Sequence, residues 1–231
     1  MQIHNYCKIG DFHKVIGEEC QDESLSATIG AYDIIVQADG VSSCCHGKRG
    51  AQIACEAVVD FIRMEKENIF LYDFRKLSFL LIEHILYFLE IEASKSGADI
   101  ADYASTISFI CANCKTGEMV LFSLGDGAVF NSSGYKVNTA IAPKRYFGNP
   151  CLTTTDGAYK YAEIKKQTLS PNDSVLLCTD GFLHAVGSSI SGSSVLKNAI
   201  INKSFLELDN LLNNSAEPDD IGYIHYTHTQ S

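Results

Sequence analysis

The sequence has few prolines, no long apolar run and no basic block. Only four prolines occur among its 231 residues, and no low-complexity linker divides it, so we predict a single domain over residues 1–231. No apolar run reaches the roughly 20 residues that a membrane-spanning helix needs. We therefore expect no membrane partner.

Signs of secretion are also absent. The first 14 residues lack the apolar centre of a signal peptide, and the nine cysteines show no spacing typical of a small disulfide framework. Several of them, such as Cys55, Cys111 and Cys178, lie within apolar runs. Buried free thiols in a reducing compartment explain this best, and we expect a soluble cytoplasmic protein.

Positive charge is scarce, because 18 Lys and Arg face 28 Asp and Glu and give a net charge of −10. The basic pairs Lys144-Arg145 and Lys165-Lys166 are short and isolated. Nucleic acid is therefore not an expected partner, since its phosphates reward clusters of Lys and Arg. An acidic balance suits a protein that binds cations.

Hydrophobic periodicity predicts clustered strands and helices. The predicted strands are 32–38, 105–113, 118–124, 128–131, 174–178 and 221–226, and the predicted helices are 48–67, 74–95 and 193–213. Residues 136–160 are mixed and allow no clear prediction. Because strands and helices do not alternate strictly, the pattern favours an α+β layered fold over a doubly wound parallel sheet.

Three of the predicted strands end in the same Asp-Gly dipeptide, which places an aspartate at the carboxyl end of each strand. These aspartates are Asp39, Asp126 and Asp180. Asp22 lies before the first strand, and Asp219-Asp220 lies before the last. If these strand ends meet at one edge of the fold, four or five carboxylates converge there.

Converging carboxylates repel one another, and some would hold protons unless a cation relieves the repulsion. Hard divalent cations such as Mg²⁺ and Mn²⁺ prefer oxygen ligands. The glycine after each aspartate lets the backbone come close, so that its carbonyl can also bind a metal. Asp-Gly is equally a common hairpin turn, and Asp22 by itself would be a solvated loop residue.

At these residues the chain resembles the metal-dependent protein phosphatases of the type 2C family, bacterial branch. The motifs that carry the resemblance recur in the family's order and span nearly the whole chain. They are GEECQDES (17–24), the Asp-Gly segment that enters a helix (37–58), Ala104-Ser105-Thr106, Gly125-Asp126-Gly127, LLCTDGF (176–182) and Asp219-Asp220-Ile221-Gly222.

The resemblance implies a four-layer α-β-β-α sandwich, in which helices flank two antiparallel sheets and two or three Mg²⁺ or Mn²⁺ ions bind at one end. It implies that Asp39 bridges two metals and that the Gly40 carbonyl binds the first. Asp180 and Asp219 would bind the second. Asp22 would support the cluster.

The resemblance also implies that Asp126, together with Asp180, binds a third and more labile metal. Asp220 stands where the family has asparagine, so Asp219 and Asp220 compete for one ligand position, and position along the chain favours Asp219. The phosphate-binding arginine that some members carry upstream of the acidic motif has no counterpart here. His13 is a candidate substitute for binding phosphate.

The implied activity is hydrolysis of phosphoserine and phosphothreonine by a metal-activated water, with no protein nucleophile. The implied partner is a phosphorylated protein, a Ser/Thr kinase or one of its targets. Two alternatives are a non-catalytic phosphatase-like module and a metallohydrolase of small phosphoesters. Residues 143–160 lie where family members carry a variable flap, which we expect to tune the choice of substrate.

Overall fold

The strands of the computed structural model, which describes residues 2–187 and 194–229, form two five-stranded antiparallel sheets. They are β1 (Gln2–Lys8), β2 (Asp22–Ile29), β3 (Tyr32–Asp39), β4 (Ile107–Asn113), β5 (Glu118–Leu124), β6 (Ala128–Ser133), β7 (Lys136–Ile141), β8 (Glu163–Thr168), β9 (Ser174–Cys178) and β10 (Ile221–Thr227). One sheet has the order β1-β10-β9-β6-β7, and the other has the order β2-β3-β4-β5-β8.

The described residues form six helices. They are α1 (Asp11–Ile16), α2 (Gly47–Glu65), α3 (Phe74–Ser96), α4 (Asp180–Val186), α5 (Ser194–Asn202) and α6 (Leu206–Asn213), with short 3₁₀ turns at Ile100–Tyr103 and Ala158–Lys160. Helices α2 and α3 pack on the β2–β8 sheet, whereas α4, α5 and α6 pack on the β1–β7 sheet. The expected four-layer α-β-β-α sandwich is confirmed.

The central strands are apolar on both faces because both faces are covered. In β3, Ile34 and Val36 point towards α2 and α3, whereas Ile35 points into the layer between the sheets. Ile110 and Leu121 join Ile35 in that inner layer. A period of two thus sends alternate side chains into two different cores, which explains why the central strands appear in the sequence as continuous apolar runs.

All four strands that the sequence patterns miss, β1, β2, β7 and β8, lie at sheet edges. An edge strand pairs on one side only and is partly open to solvent, so its sequence stays polar. Strand β8, for example, reads EIKKQT, and most of its residues are not buried. Helices α1 and α4 are also absent from the predictions.

The prediction of one helix over residues 193–213 is wrong. Residue 193 lies outside the described part of the chain, and the remainder forms α5 and α6. The break follows from Lys203, whose φ of 55° lies in the left-handed region, where a helix cannot continue. Phe205, which fits the helical period poorly, caps the start of α6.

The antiparallel topology brings several strand ends to one edge of the sandwich. Strands β3 and β5 run in the same direction on either side of β4, so both end at this edge. Strand β6 starts where β5 ends, and its first residue, Ala128, pairs with the last residue of β9, Cys178. Strand β10 starts beside the end of β9. The segments that carry the aspartates therefore meet here.

Within the described residues, no helix combines the length and the apolarity that a membrane crossing demands.

We predict that Gly50→Ala destabilises the fold. A Cβ at Gly50 would lie 2.0 Å from the Tyr103 carbonyl oxygen, so α2 would have to move away from the 3₁₀ turn beneath it. Overpacking of this kind costs about 1–3 kcal/mol and should outweigh the roughly 1 kcal/mol that alanine gains in a helix. Urea unfolding would measure the loss. The exposed Glu56→Ala in the same helix should change stability by less than about 0.5 kcal/mol, and a Gly50→Ala protein as stable as wild type would contradict the packing argument.

Candidate metal centre

A pocket of about 240 Å³ lies at the edge where the strand ends meet. Five of the six predicted metal ligands line this pocket. They are Asp39, Gly40, Asp126, Asp180 and Asp219. The structure thus brings together the ends of β3, β5 and β9 with the start of β10, as the strand pattern suggested.

Asp39 is held in place at the end of β3 through its backbone. Its carbonyl accepts a hydrogen bond from the Thr106 amide at 2.8 Å, and its amide donates to Thr106 Oγ1 at 3.2 Å. The next residue, Gly40, donates its amide to the Gln21 carbonyl at 3.2 Å. Both neighbouring segments therefore fix the backbone from which the Asp39 side chain extends.

Asp126 and Asp180 share one cation, Arg145. The guanidinium Nε lies 2.7 Å from Asp126 Oδ2, and Nη2 lies 3.0 Å from Asp180 Oδ2. Arg145 comes from the segment between β7 and β8, which also supplies Gly148 and Asn149 to the pocket. The segment expected to act as a flap therefore forms one wall of the pocket.

Asp180 and Asp219 are brought together by a close approach of two backbones. Asp180 begins α4, and the next residue, Gly181, lies against the residues that lead into β10. A Cβ at Gly181 would lie 2.0 Å from the Asp220 carbonyl oxygen and 3.3 Å from the Asp219 Cβ. Only glycine leaves room for this approach, which sets the third Asp-Gly dipeptide beside the last acidic pair.

The structure separates the roles of the two neighbouring aspartates at residues 219 and 220. Asp219 lines the pocket, whereas Asp220 is buried and points the other way. The Asp220 carboxylate accepts from the amides of Gly10 at 2.6 Å and Gln21 at 2.5 Å. This geometry favours Asp219 as the metal ligand and assigns Asp220 to tying the chain's N-terminal part to β10.

His13 does not lie in the pocket. It is almost fully buried, and its Nδ1 lies 2.9 Å from Asp220 Oδ2. A buried side chain that is already engaged with a carboxylate has no access to a substrate phosphate. The expectation that His13 binds phosphate is therefore not supported, and the residue instead helps to hold Asp220.

Asp22 lies behind the pocket rather than in it. It is the register partner of Asp39 in the β2–β3 ladder and is buried. Its Oδ2 accepts a hydrogen bond from Thr179 Oγ1 at 2.9 Å, the residue just before Asp180. Asp22 thus connects the two strand ends that carry Asp39 and Asp180, and its role towards a metal stays a prediction.

Burial and mutual repulsion raise the pKa values of these carboxyl groups. Burial raises the pKa of Asp39 well above its usual range, and the charges of Asp22, Asp180, Asp219 and Asp126 raise it further. Burial is also the main cause that raises the pKa values of Asp180 and Asp219, although Arg145 opposes the increase at Asp180. Without a cation the cluster therefore destabilises the folded protein near neutral pH.

The donor chemistry of the pocket fits a hard divalent cation, because four aspartate carboxylates line it and such cations prefer oxygen ligands. Asp180 Oδ1 and Asp22 Oδ1 are buried without a hydrogen-bond partner in the described structure, which leaves oxygens ready for a ligand. In residues 2–187 and 194–229, no three His, Cys, Asp or Glu side chains are arranged closely enough to hold one ion. Coordination of one ion by three of these side chains therefore requires the carboxylates to move closer together.

Arg145 is the pocket residue that the sequence patterns did not identify. In the sequence it belongs to a short basic pair in a segment of mixed composition. A charge in an irregular segment carries no periodic signal, and its partners, Asp126 and Asp180, lie 19 and 35 residues away. The one feature of the sequence that could have pointed to Arg145 is its position in residues 143–160, the segment expected to form the flap.

Comparison with protein families gives one match, the family described as "Protein phosphatase 2C", over residues 9–213. The matched range includes Asp22, Asp39, Asp126 and Asp180 and ends just before Asp219. The sequence matches no curated protein.

Three solved structures illustrate the shared fold. A bacterial serine phosphatase is 12% identical, with a TM-score of 0.73 over 100% of this chain and 99% of that chain. The catalytic domain of the serine threonine protein phosphatase PstP, in complex with two manganese ions, is 12% identical, with a TM-score of 0.68 over 97% and 96%. RsbX in complex with magnesium is 15% identical, with a TM-score of 0.61 over 98% and 94%. At these identities the likeness establishes the fold.

We predict that Asp39→Asn stabilises the metal-free protein. The raised pKa of Asp39 means that its ionised form is disfavoured in the fold, so this residue's contribution to stability is full in acid and is lost as the pH rises through the raised pKa. Removing the charge should therefore raise the melting temperature in a chelator near pH 7 by roughly 2–4 °C for each kcal/mol relieved. Thermal unfolding would measure it.

The control is Asp156→Asn, which removes an exposed aspartate from the segment between β7 and β8 and should leave the melting temperature nearly unchanged. Adding Mn²⁺ should raise the melting temperature of wild type more than that of Asp39→Asn, because tighter binding stabilises the folded state more at a given Mn²⁺ concentration. A metal-free Asp39→Asn protein that melts below wild type would show that repulsion is not what dominates this pocket.

Proposed function

The chain belongs to the protein phosphatase 2C family, and we propose that its aspartate pocket is the active site of a metal-dependent protein serine/threonine phosphatase. Family membership establishes the enzyme class, which acts on phosphorylated proteins. Members use Mg²⁺ or Mn²⁺. The assignment of this chemistry to particular residues is our inference from the pocket.

One observation carries this assignment. Four aspartates from four separate strand ends line a single pocket, in a fold shared with phosphatases whose structures contain manganese or magnesium. Buried carboxylates repel one another and cost stability, so a fold gathers them only where something compensates. Divalent cations are the compensation that the donor set accepts.

We assign the roles of the pocket residues by their positions. Asp39 lies among the other carboxylates and is raised in pKa by all of them, so it would be shared between two ions, with the Gly40 carbonyl on the first. Asp180 and Asp219, which lie side by side, would hold the second. Asp126 would join Asp180 in holding a third.

The chain's own residues then have three tasks. When bound, the ions would supply an activated water at neutral pH and offset the charge of the phosphate. The carboxylates would fix that water in line with the phosphorus, since phosphoryl transfer depends mainly on placement and electrostatics. Arg145, once it parts from Asp180, would offer its guanidinium to the phosphate oxygens, for which its planar donors are well suited.

Narrower statements about partners and location stay predictions. We propose that the substrate is a Ser/Thr kinase or one of its targets, because that pairing follows from the reaction class. A cytoplasmic location, expected from the nine thiols, and a single domain over residues 1–231 also stay predictions.

We predict that wild-type protein hydrolyses p-nitrophenyl phosphate and a phosphothreonine peptide when Mn²⁺ is present, and that Asp39→Asn lowers kcat by at least roughly a hundredfold. The substitution keeps the shape of the side chain and removes the shared charge, so both placement and occupancy of the ions suffer. Excess Mn²⁺ should therefore restore only part of the activity. Asp126→Asn should be milder, because it touches only the third site.

Steady-state kinetics over a series of Mn²⁺ concentrations would separate the two variants. Near-normal turnover by Asp39→Asn at saturating Mn²⁺ would refute the assignment of a shared ligand. Wild-type protein that binds Mn²⁺ but hydrolyses neither substrate would indicate a non-catalytic phosphatase-like module. Hydrolysis confined to the small ester would favour a metallohydrolase of small phosphoesters.

The tip of the segment between β7 and β8 has the features of a substrate contact. Tyr146 and Asn149 pair across a tight turn through backbone hydrogen bonds of 2.7 and 3.1 Å, and Phe147 within it has a φ of 51°. A bulky residue in the left-handed region is strained, and the Phe147 side chain is fully exposed. The fold thus presents an aromatic ring to solvent beside the pocket.

We predict that Phe147→Ala lowers kcat/KM for a phosphopeptide about fivefold, which corresponds to about 1 kcal/mol of lost apolar contact. The same variant should hydrolyse p-nitrophenyl phosphate normally, because that ester is too small to reach the tip. Tyr135→Ala is a matched control, since Tyr135 is an equally exposed aromatic residue in the β6–β7 turn. Equal loss on both substrates would argue against a specificity role.

A further inference from the structure

We propose that Cys7 and Cys20 form a reversible disulfide when the protein meets a peroxide, which makes this cysteine pair a redox modification site beside the aspartate pocket. The inference is independent of the proposed function, and none of its readouts uses phosphatase activity.

The two sulfur atoms are already in contact. Cys7 Sγ and Cys20 Sγ lie 2.7 Å apart, a contact in which either thiol can donate a hydrogen bond to the other, and a disulfide bond would set the two atoms roughly 2.05 Å apart. The sulfur atoms of Cys44, Cys55 and Cys178 contact backbone carbonyls, and Cys20 Sγ also lies 4.0 Å from the Asp22 carbonyl oxygen, so the short sulfur–sulfur distance is what sets the Cys7–Cys20 pair apart. The Cys7–Cys20 pair therefore needs little movement to join.

The pair is accessible, and its backbone is fixed on both sides. Cys7 is exposed near the end of β1 and pairs with Gly222 in the β1–β10 ladder. Cys20 is partly exposed, and its carbonyl accepts a hydrogen bond from Lys48 Nζ at 2.5 Å. An oxidant can thus reach Cys7, while ordered backbone holds Cys20 beside it.

The chemistry balances with one equivalent of hydrogen peroxide. The Cys7 sulfur attacks one peroxide oxygen, which breaks the O–O bond, releases one water and leaves a sulfenic acid on Cys7. The Cys20 sulfur then attacks the Cys7 sulfur and displaces the sulfenic oxygen as a second water. Two thiols are oxidised to one disulfide, and the peroxide is reduced to two waters.

The crosslink would act on the segment that leads into the pocket. Gln21, the next residue after Cys20, donates its amide to Asp220 and accepts from the Gly40 amide. Asp22 follows and pairs with Asp39. A bond from Cys20 to β1 would therefore tie down the turn that orders three of the acidic positions, and we expect it to stabilise the native arrangement rather than disrupt it.

Peptide mapping would test whether the bond forms. The full-length metal-free protein is treated with one equivalent of hydrogen peroxide, its free thiols are blocked, and it is digested without reduction by trypsin together with a protease that cuts after glutamate. Those cuts isolate Cys7 in residues 1–8 and Cys20 in residues 20–23, away from Cys44 and Cys45. We expect a crosslinked pair of these two peptides, lighter than their sum by two hydrogen atoms, that dithiothreitol separates.

Thermal unfolding supplies an independent readout. The oxidised wild type should melt several degrees higher than the reduced protein. The bond lowers the conformational entropy of the unfolded chain by closing the loop between the two residues. Cys7→Ser and Cys20→Ser should each lose both the crosslinked peptide and the shift. Cys45→Ser, which removes an exposed cysteine outside the pair, should keep both.

Several results would overturn the proposal. These are a disulfide that joins other cysteines, crosslinking only between two protein molecules, or overoxidation of Cys7 while Cys20 remains a free thiol. An unchanged melting temperature despite a mapped Cys7–Cys20 bond would refute the stabilising effect.

Discussion

Repulsion among buried carboxylates is the constraint on which this structure depends. Asp39 is surrounded by Asp22, Asp126, Asp180 and Asp219, and burial together with their charges raises its pKa. Packing that gathers such groups at one edge of a sandwich works against folding unless cations offset the charge. Under the proposed function, the stability that the fold loses by gathering these carboxylates would be recovered when the pocket binds metal.

The surrounding residues hold this arrangement in place through threonine hydroxyl groups, backbone amides, His13 and the guanidinium of Arg145. Thr106 and Thr179 fix the strand ends through their hydroxyl groups, and His13 and two backbone amides engage Asp220 on the side away from the pocket. Arg145 reaches in from the segment between β7 and β8. Phe147 lies in the same segment. If Phe147 contacts substrate and Arg145 releases Asp180, the two events would therefore be coupled through the segment between β7 and β8.

The sequence predicts the features that depend on local patterns and misses those that depend on contacts between distant segments. The central strands and the helices α2 and α3 follow from periodicity, and the strand-end aspartates follow from three repeated Asp-Gly dipeptides. The edge strands β1, β2, β7 and β8 do not, because half-exposed strands keep polar side chains. The choice between Asp219 and Asp220, the place of His13 and the role of Arg145 depend on contacts between distant segments, which spacing along one sequence cannot express.

The most direct test of the central claim is an anomalous difference map from crystals of the full-length protein soaked in Mn²⁺. We predict two strong peaks, both within about 2.0–2.3 Å of Asp39 carboxylate oxygens, with Asp180 and Asp219 on one of them. A third and weaker peak should lie between Asp126 and Asp180, with Arg145 displaced from Asp180. Saturating Mn²⁺ that binds elsewhere, or leaves Asp39 without a metal, would contradict the account.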